Sequence, residues 1–578
     1  MKLDQEKRVM LAFALTFGML IVWRVFFVKE PPPQPKKPAP VASAPAAPEQ
    51  PPAVPAARTT HKTTKAAPPA ALPVVQGSKA EDIVVENGLY RVTISTQGAV
   101  VKSWVLKKYR DAKNEPLDTV NGPACETLGF PVSVSLGDTA LKAQLNQAIY
   151  VAEAVQLASG GSASKLSGTK FAPPVNLTFT YSDGKIQAKK QFSFDAGYAV
   201  KTEVSVFDGQ HFLPIEVAWP GGFGDHTLAP AVIDTGSQAV YGSLGDLTTL
   251  AQRKVKEDRT IPGPLQLAGL EDKYFADVFL PEAPDQAAFR IARQEWSPPD
   301  WTEKEKPRPM IATLVGTQPK PLAFRLFVAP KDLDVLRAVA PPLDSLVDFG
   351  WFSVVAKPLF IALRYIYDHW VHNYGWAIVL LTLIINLAMF PLKIKSLRSA
   401  QEMQRISPIV KGIQDKYKQY KFNDPRKQKM NEEVMKVYSE HHINPFGSCL
   451  PMLLQLPFLY GFYRVLDLSI ELRHAPWISW LKDLSAQDPL YILPAVMIVT
   501  MFIMQRMTPV ATADPAQQRM MMIMPLMFGI MFFRFPSGMV LYWLTGNLVG
   551  IGQQLFINRY MRAPDPLLAP RKPAAAKE

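Results

Sequence analysis

The stretch "LLTLIINLAMFPLKIKSLRSA" (Leu380–Ala400) changes character halfway along. Up to Phe390 it is apolar except at Thr382 and Asn386; from Lys393 onward it gathers Lys395 and Arg398. An apolar helix that ends in cations is the pattern of a membrane span reaching its cytoplasmic edge. That reading sorts the rest of the chain: charge-free runs closed by Lys or Arg are candidate spans, and alternating runs are candidate strands.

The chain has 578 residues, which implies more than one domain. Its net charge of +13 fits nucleic acid in principle, but cations flanking apolar runs serve a membrane protein equally well. Two cysteines, Cys125 and Cys449, in unlike contexts give neither a disulfide framework nor a metal cluster. The eight histidines are scattered and contain no HExxH. A metalloenzyme is therefore disfavoured, and no cofactor is expected.

Outward from the opening stretch, five charge-free intervals fill the last 200 residues or so: 373–392, 446–463, 489–505, 520–533 and 535–558. A sixth apolar run, Val9–Val28, follows Lys2, Lys7 and Arg8 and lacks a small-residue cleavage site, so it reads as an uncleaved anchor. Several spans are short; fourteen residues make only about 21 Å of helix, less than a hydrocarbon core of about 30 Å. The Lys- and Arg-rich loop after Lys393 and the basic tail should be cytoplasmic, which puts both termini inside. Before the first core span, "VVAKPLFIALRYIYDHWVHNYG" has helical spacing broken by Lys357, Arg364 and Asp368 and is ringed by tryptophans. It is expected to lie in the membrane interface.

Between anchor and core the grammar differs. A Pro/Ala-rich tract reads as an extended spacer. "NLTFTYSDGKIQAKKQFSFDAGYAVKTEVSVFDG" (176–209) reads as three strands joined by Asp-Gly and Ala-Gly turns. Many such runs from Ile83 to Val328 imply a large β-sandwich on the far side of the membrane, the periplasm in a two-membrane bacterium. His211 and His226 there are expected at its surface. The basic loop is expected to fold as two antiparallel helices, Ser396–Tyr420 and Asp424–His441, with Gly412 and "KFND" breaking the run and Asp424-Pro425 starting the second helix. The expected organisation is an anchor (1–28), a linker (29–78), an all-β sandwich (79–335), an interfacial helix (343–372), an α-helical polytopic core with five spans (373–558) including the hairpin (396–442), and a tail (559–578).

The motifs "NPFGSCLPMLLQLPFLYGFYRVL", "MTPVATADPAQQRMMMIMPLMF" and "FPSGMVLYWLTGNLVGIGQQ" together resemble the YidC/Oxa family of bacterial membrane protein insertases. The resemblance covers nearly the whole chain except the spacer. It implies a mutarotase-like periplasmic sandwich and a hydrophilic groove open to cytoplasm and lipid. It also implies transfer of polar segments of nascent inner-membrane proteins, alone or beside the Sec translocon, without nucleotide hydrolysis by the chain. The partners implied are those nascent proteins, the Sec translocon, the ribosome and signal-recognition machinery, and membrane lipids. Most members carry a groove arginine in the first core span; at that position this chain has Asn386.

Asn386 and Thr382, four residues apart, share a helix face. A buried amide without partners costs a few kcal/mol, so these groups should face other helices or water. Gln455, Gln505, Thr545 and Asn547 are further polar groups in apolar spans. Arg464, near the outer end of its span with Asp467 three residues on, either supplies positive potential missing at Asn386 or forms a local ion pair. Lys393, Lys395, Arg398, Arg405 and Lys411 are assigned to the cytoplasmic hairpin as contacts for lipid or partners. The methionine run "RMMMIMPLMFGIMFF" is either an adaptable slide for apolar segments or ordinary packing. The competing functions are a small-solute transporter, which would need intramembrane carboxylates that these spans lack, and a tethered sugar-acting enzyme.

Overall fold

The run 176–209 folds as three antiparallel strands, Val175–Asp183, Gln187–Phe194 and Ala199–Phe207. On the first, Val175, Leu177, Phe179 and Tyr181 are buried while the residues between them are half-exposed, the period of two that one buried face dictates. Gly184, with φ of 90°, makes the first turn, which a Cβ would strain. The computed structural model describes residues 72–111, 113–157, 163–166, 168–227, 237–297, 308–316, 319–350, 353–420, 424–441, 450–507 and 529–560. The expected anchor, most of the linker, the methionine run up to Phe528, Cys449 and the tail beyond Tyr560 lie outside those residues. The chain divides into two compact units, Met1–Ala329 and Pro330–Glu578.

In the first unit the three strands sit inside a large antiparallel sheet. Leu322–Pro330 joins beside Ala199–Phe207, and Val151–Leu157 beside Val175–Asp183. Val74 and Val75 pair with Asp183 and Ser182, so the last residues assigned to the linker belong to the sheet. Two five-stranded sheets complete the unit. Aromatic contacts stitch the layers: Tyr90 meets Phe194 at 6.2 Å, Tyr109 meets Phe275 at 5.4 Å and Tyr241 meets Phe289 at 5.8 Å. Trp104, Trp219, Phe275, Phe324 and Phe327 are fully buried in this β-sandwich. Two short helices, α1 (Gly122–Leu128) and α2 (Thr139–Gln147), are capped by Asn121 and Asp138. His211 is exposed, but His226 is a correction: it is half-buried, with Nε2 3.1 Å from the Thr119 carbonyl, and burial lowers its pKa.

The second unit is helical: α3 (Leu333–Ala338), α4 (Ser353–Ile366), α5 (Tyr374–Ala388), α6 (Phe390–Lys416), α7 (Pro425–Glu440), α8 (Leu450–Leu468), α9 (Ile492–Met507) and α10 (Ser537–Tyr560). After α4 a π-turn, Tyr367–Val371, leads to His372 in the left-handed region (φ 44°), and the chain bends by 116° into α5. Among the described residues no single helix is both long and apolar enough to cross a membrane, though the bent pair 353–371 and 374–388 passes that test jointly. Helix α5 packs against α10, α10 against α9, and α4 against α8.

Helix α6 runs from Phe390 straight through Gly412, so Gly412 does not break it. A mid-helix glycine costs roughly 1 kcal/mol. The buried Ile406, Val410 and Ile413 offset that cost. Ile406 and Val410 pack with Val434, Val437 and Tyr438 of α7, and Tyr417 donates to Glu433 at 2.7 Å. Asp424 caps α7 by accepting from the Arg426 backbone N–H, with Pro425 at the first position.

Candidate functional site

Pro391 sets up the site. It has no N–H to donate and stands in the first turn of α6, where that loss is tolerated, and the chain breaks between α5 and α6 at Met389. One turn later Lys393 reaches back. Its Nζ donates to Asn386 Oδ1 at 2.8 Å and to Gln553 Oε1 of α10 at 3.1 Å. Gln553 Nε2 donates in turn to the Asn386 backbone carbonyl at 3.0 Å. Asn386 Nδ2 donates to the Thr382 carbonyl at 2.8 Å, and Thr382 Oγ1 to the Ile378 carbonyl at 2.6 Å. Thr382 and Asn386 are buried; Lys393 and Gln553 are half-buried. Every polar atom of the two amides near the ammonium is thus oriented: both oxygens face Nζ and both nitrogens face carbonyls.

The other end of α5 is closed. Asn373 caps it by accepting from Trp376 N–H, and Asn373 Nδ2 donates to the Pro476 carbonyl at 3.0 Å. The loop that supplies Pro476 also holds the start of α10: Ser537 Oγ and N–H both donate to Ala486, and Gly538 N–H donates to Leu484. Asp488 accepts from Leu493 N–H and from Trp480 Nε1, fixing the start of α9. Gly375 lies against Trp477, where a Cβ would come within 2.2 Å of the indole. Glu471 enters this cap from a short turn after α8. Burial, helped by Asp332 and Asp334, pushes its carboxyl up to about 7, and its Oε1 has no hydrogen-bond partner among the described residues. Arg364 pairs with Asp334 of α3 and, at 3.7 Å, with Asp368.

Two family models divide the chain: "60Kd inner membrane protein" matches residues 366–564, and "YidC periplasmic domain" matches residues 82–362. The membrane protein insertase YidC of Syntrophus aciditrophicus is 32% identical over 571 residues, covering 96% of this chain and 99% of its own. The chain belongs to the YidC family of membrane protein insertases. The YidC of Geotalea daltonii is 33% identical and covers 96% of this chain and 100% of its own. A crystal structure described as an active YidC insertase with its first transmembrane domain resolved covers 85% of this chain and 95% of its own at 18% identity, with a TM-score of 0.35.

Among the described residues the remaining polar candidates do not converge on Asn386. Asn547 Nδ2 donates to Thr500 Oγ1 at 3.3 Å, tying α10 to α9, and Thr545 bonds back to the Leu541 carbonyl. Gln455 bonds to the Tyr542 hydroxyl. Gln505 lies in the last turn of α9. Arg464 bonds to the Asp348 carbonyl and pairs with Asp467 at 3.6 Å, so it is spent locally. Lys395, Arg398, Arg405 and Lys411 are exposed on α6, whereas Lys393 turns away from that basic run toward Asn386. Gln553 escaped the sequence reading. Its signal was the polar pair Gln553-Gln554 late in a helix that also carries Thr545 and Asn547, and its partner is 167 residues away.

Proposed function

We propose that this chain integrates nascent inner-membrane proteins by lowering the cost of moving their polar segments across lipid. The carrying observation is the Lys393–Asn386–Gln553 cluster, a wet-natured patch on otherwise apolar helices, set at the opposite end of α5 from a loop cap tied down by hydrogen bonds. In this reading the six apolar segments cross the membrane, both termini and the α6–α7 hairpin are cytoplasmic, and the β-sandwich is periplasmic. The cluster then opens a shallow groove to the cytoplasm and to lipid while the cap closes the outer side.

The work is partition rather than bond chemistry. Each unpaired polar group of a client costs several kcal/mol in hydrocarbon. Groove water and the side chains around Asn386 replace part of its hydration. The client's apolar segment then enters lipid, at about 25 cal/mol per Å² buried. The membrane potential contributes about 2.3 kcal/mol per charge per 100 mV and favours outward movement of acidic tails. The exposed hairpin cations are placed to meet anionic headgroups or the ribosome and signal-recognition machinery, and the chain acts alone or beside the Sec translocon.

The test is reconstitution of the full chain into vesicles with a short single-span client, read by protease protection of its translocated tail. Protection well above protein-free vesicles is expected. Protection equal to protein-free vesicles ends this reading.

A further inference from the structure

We propose that Glu471 and Asp334 compete for the guanidinium of Arg364, so that one proton gained or lost at Glu471 fastens or frees α3, the helix that follows the last strand of the sandwich. The inference stands apart from the insertase reading, because it uses contacts inside the helical unit alone. Only Lys331 and Asp332 separate α3 from the strand Leu322–Pro330. Arg364 of α4 reaches Asp334 of α3 and also pairs with Asp368 of the π-turn at 3.7 Å. Both of those carboxylates are exposed, so water and salt weaken each pair.

Glu471 is the opposite case. It stands between the buried Ile470 and Leu472 in a short turn, and its Oε1 is buried with no hydrogen-bond partner among the described residues. A neutral carboxyl tolerates that place, whereas a carboxylate left there alone is costly. The charged and titratable groups that face it are Asp332 and Asp334 from α3, Arg364 from α4 and Tyr374 from α5, with Arg473 two residues on in the chain. Asp332 is spent on the N-cap of α3, where it accepts from the Asp334 and Val335 N–H groups. With Glu471 protonated, Arg364 is left to Asp334 and Asp368, the arrangement described above. Once the proton leaves, a buried carboxylate draws the guanidinium harder than an exposed one does. Arg364 then turns to Glu471, and α3 loses its tie to α4. Burial holds the Glu471 carboxyl at about 7, so the exchange falls near neutral pH.

Hydrogen exchange of the full-length chain in detergent tests the competition. It is measured at roughly pH 5.5 and roughly pH 8.5, on either side of the Glu471 titration, and divided by the intrinsic rate at each pH. Protection of residues 334–338 should fall about three- to fivefold from the lower pH to the higher, the scale of one exposed ion pair, while α7 stays constant. Protection in the wild type that does not change with pH overturns the proposal. Glu471→Gln should keep the high protection at both pH values; low protection at both marks a merely structural role and also overturns it. Arg364→Gln removes the contested cation, so α3 should be weakly protected at both pH values. A pH-dependent fall that persists in Arg364→Gln shows charge repulsion without competition and is equally fatal. Where Glu471→Gln does not fold, Arg364→Gln decides by those same two outcomes.

Discussion

Glu471 is a carboxylic acid held where a carboxylate is poorly solvated. Its ordinary pKa of 4.5 rises to about 7 in the folded chain through burial, with Asp332 and Asp334 adding repulsion. Between these values the folded state binds a proton that the unfolded state does not. Stability from this group is therefore complete below pH 4.5 and is lost as pH rises through 7, a change on the order of 3 kcal/mol. Thermal unfolding of the chain in detergent should show this decline between pH 5 and 7.5, and Glu471→Gln should flatten it. Lys190 gives the opposite slope in a higher window. It is fully buried, donates to the carbonyls of Gly98, Ala99 and Val132, and burial pulls it down to about 7. The unfolded chain then binds the extra proton between pH 7 and 10.5, so this contribution grows as pH rises, and Lys190→Met should remove that rise. At this scale the sequence was half legible. Thr382 and Asn386 follow from four-residue spacing on one helix. Lys393 was grouped with the basic run because linear proximity to Lys395 outweighed the back-bond to Asn386.

Elements were easier to read than contacts. The strands of 176–209 announce themselves because Asp-Gly and Ala-Gly punctuate strict alternation, and the structure pairs them in that order. Helix α6 was read as Ser396–Tyr420 and spans Phe390–Lys416 instead, and the buried seam at Ile406 and Val410 that carries it past Gly412 requires knowing where α7 lies. Close approach also hides from a sequence. Gly375 looks like a turn glycine, yet it is the floor on which Trp477 rests. Gly375→Ala should push the indole off α5 and destabilise the helical unit by about 1–3 kcal/mol, visible as a lower melting temperature and as faster hydrogen exchange in residues 476–488.

The whole molecule has two separate cores, one of stacked β-sheets and one of helices. Compact units with cores of their own unfold as separate transitions. Trp219→Ala, which empties a fully buried site in the sandwich, should cost about 3–5 kcal/mol there and leave the calorimetric transition of the helical unit unmoved.

The sharp bend at His372 has one more effect. It presents Trp370 and Trp376 on either side of a corner, and Trp376 leans edge-on against Trp477 at 5.5 Å. Indoles settle at the headgroup level, so this corner works like a waterline painted on a hull. Asn386, on the same helix, is ten residues beyond Trp376, and at 1.5 Å per residue that is roughly 15 Å, about half of an ordinary hydrocarbon layer of about 30 Å. In the proposed orientation, vesicles made from longer acyl chains should sink the Asn386 amide deeper below the inner surface and slow client entry, whereas shorter chains should lift it toward bulk water and speed entry.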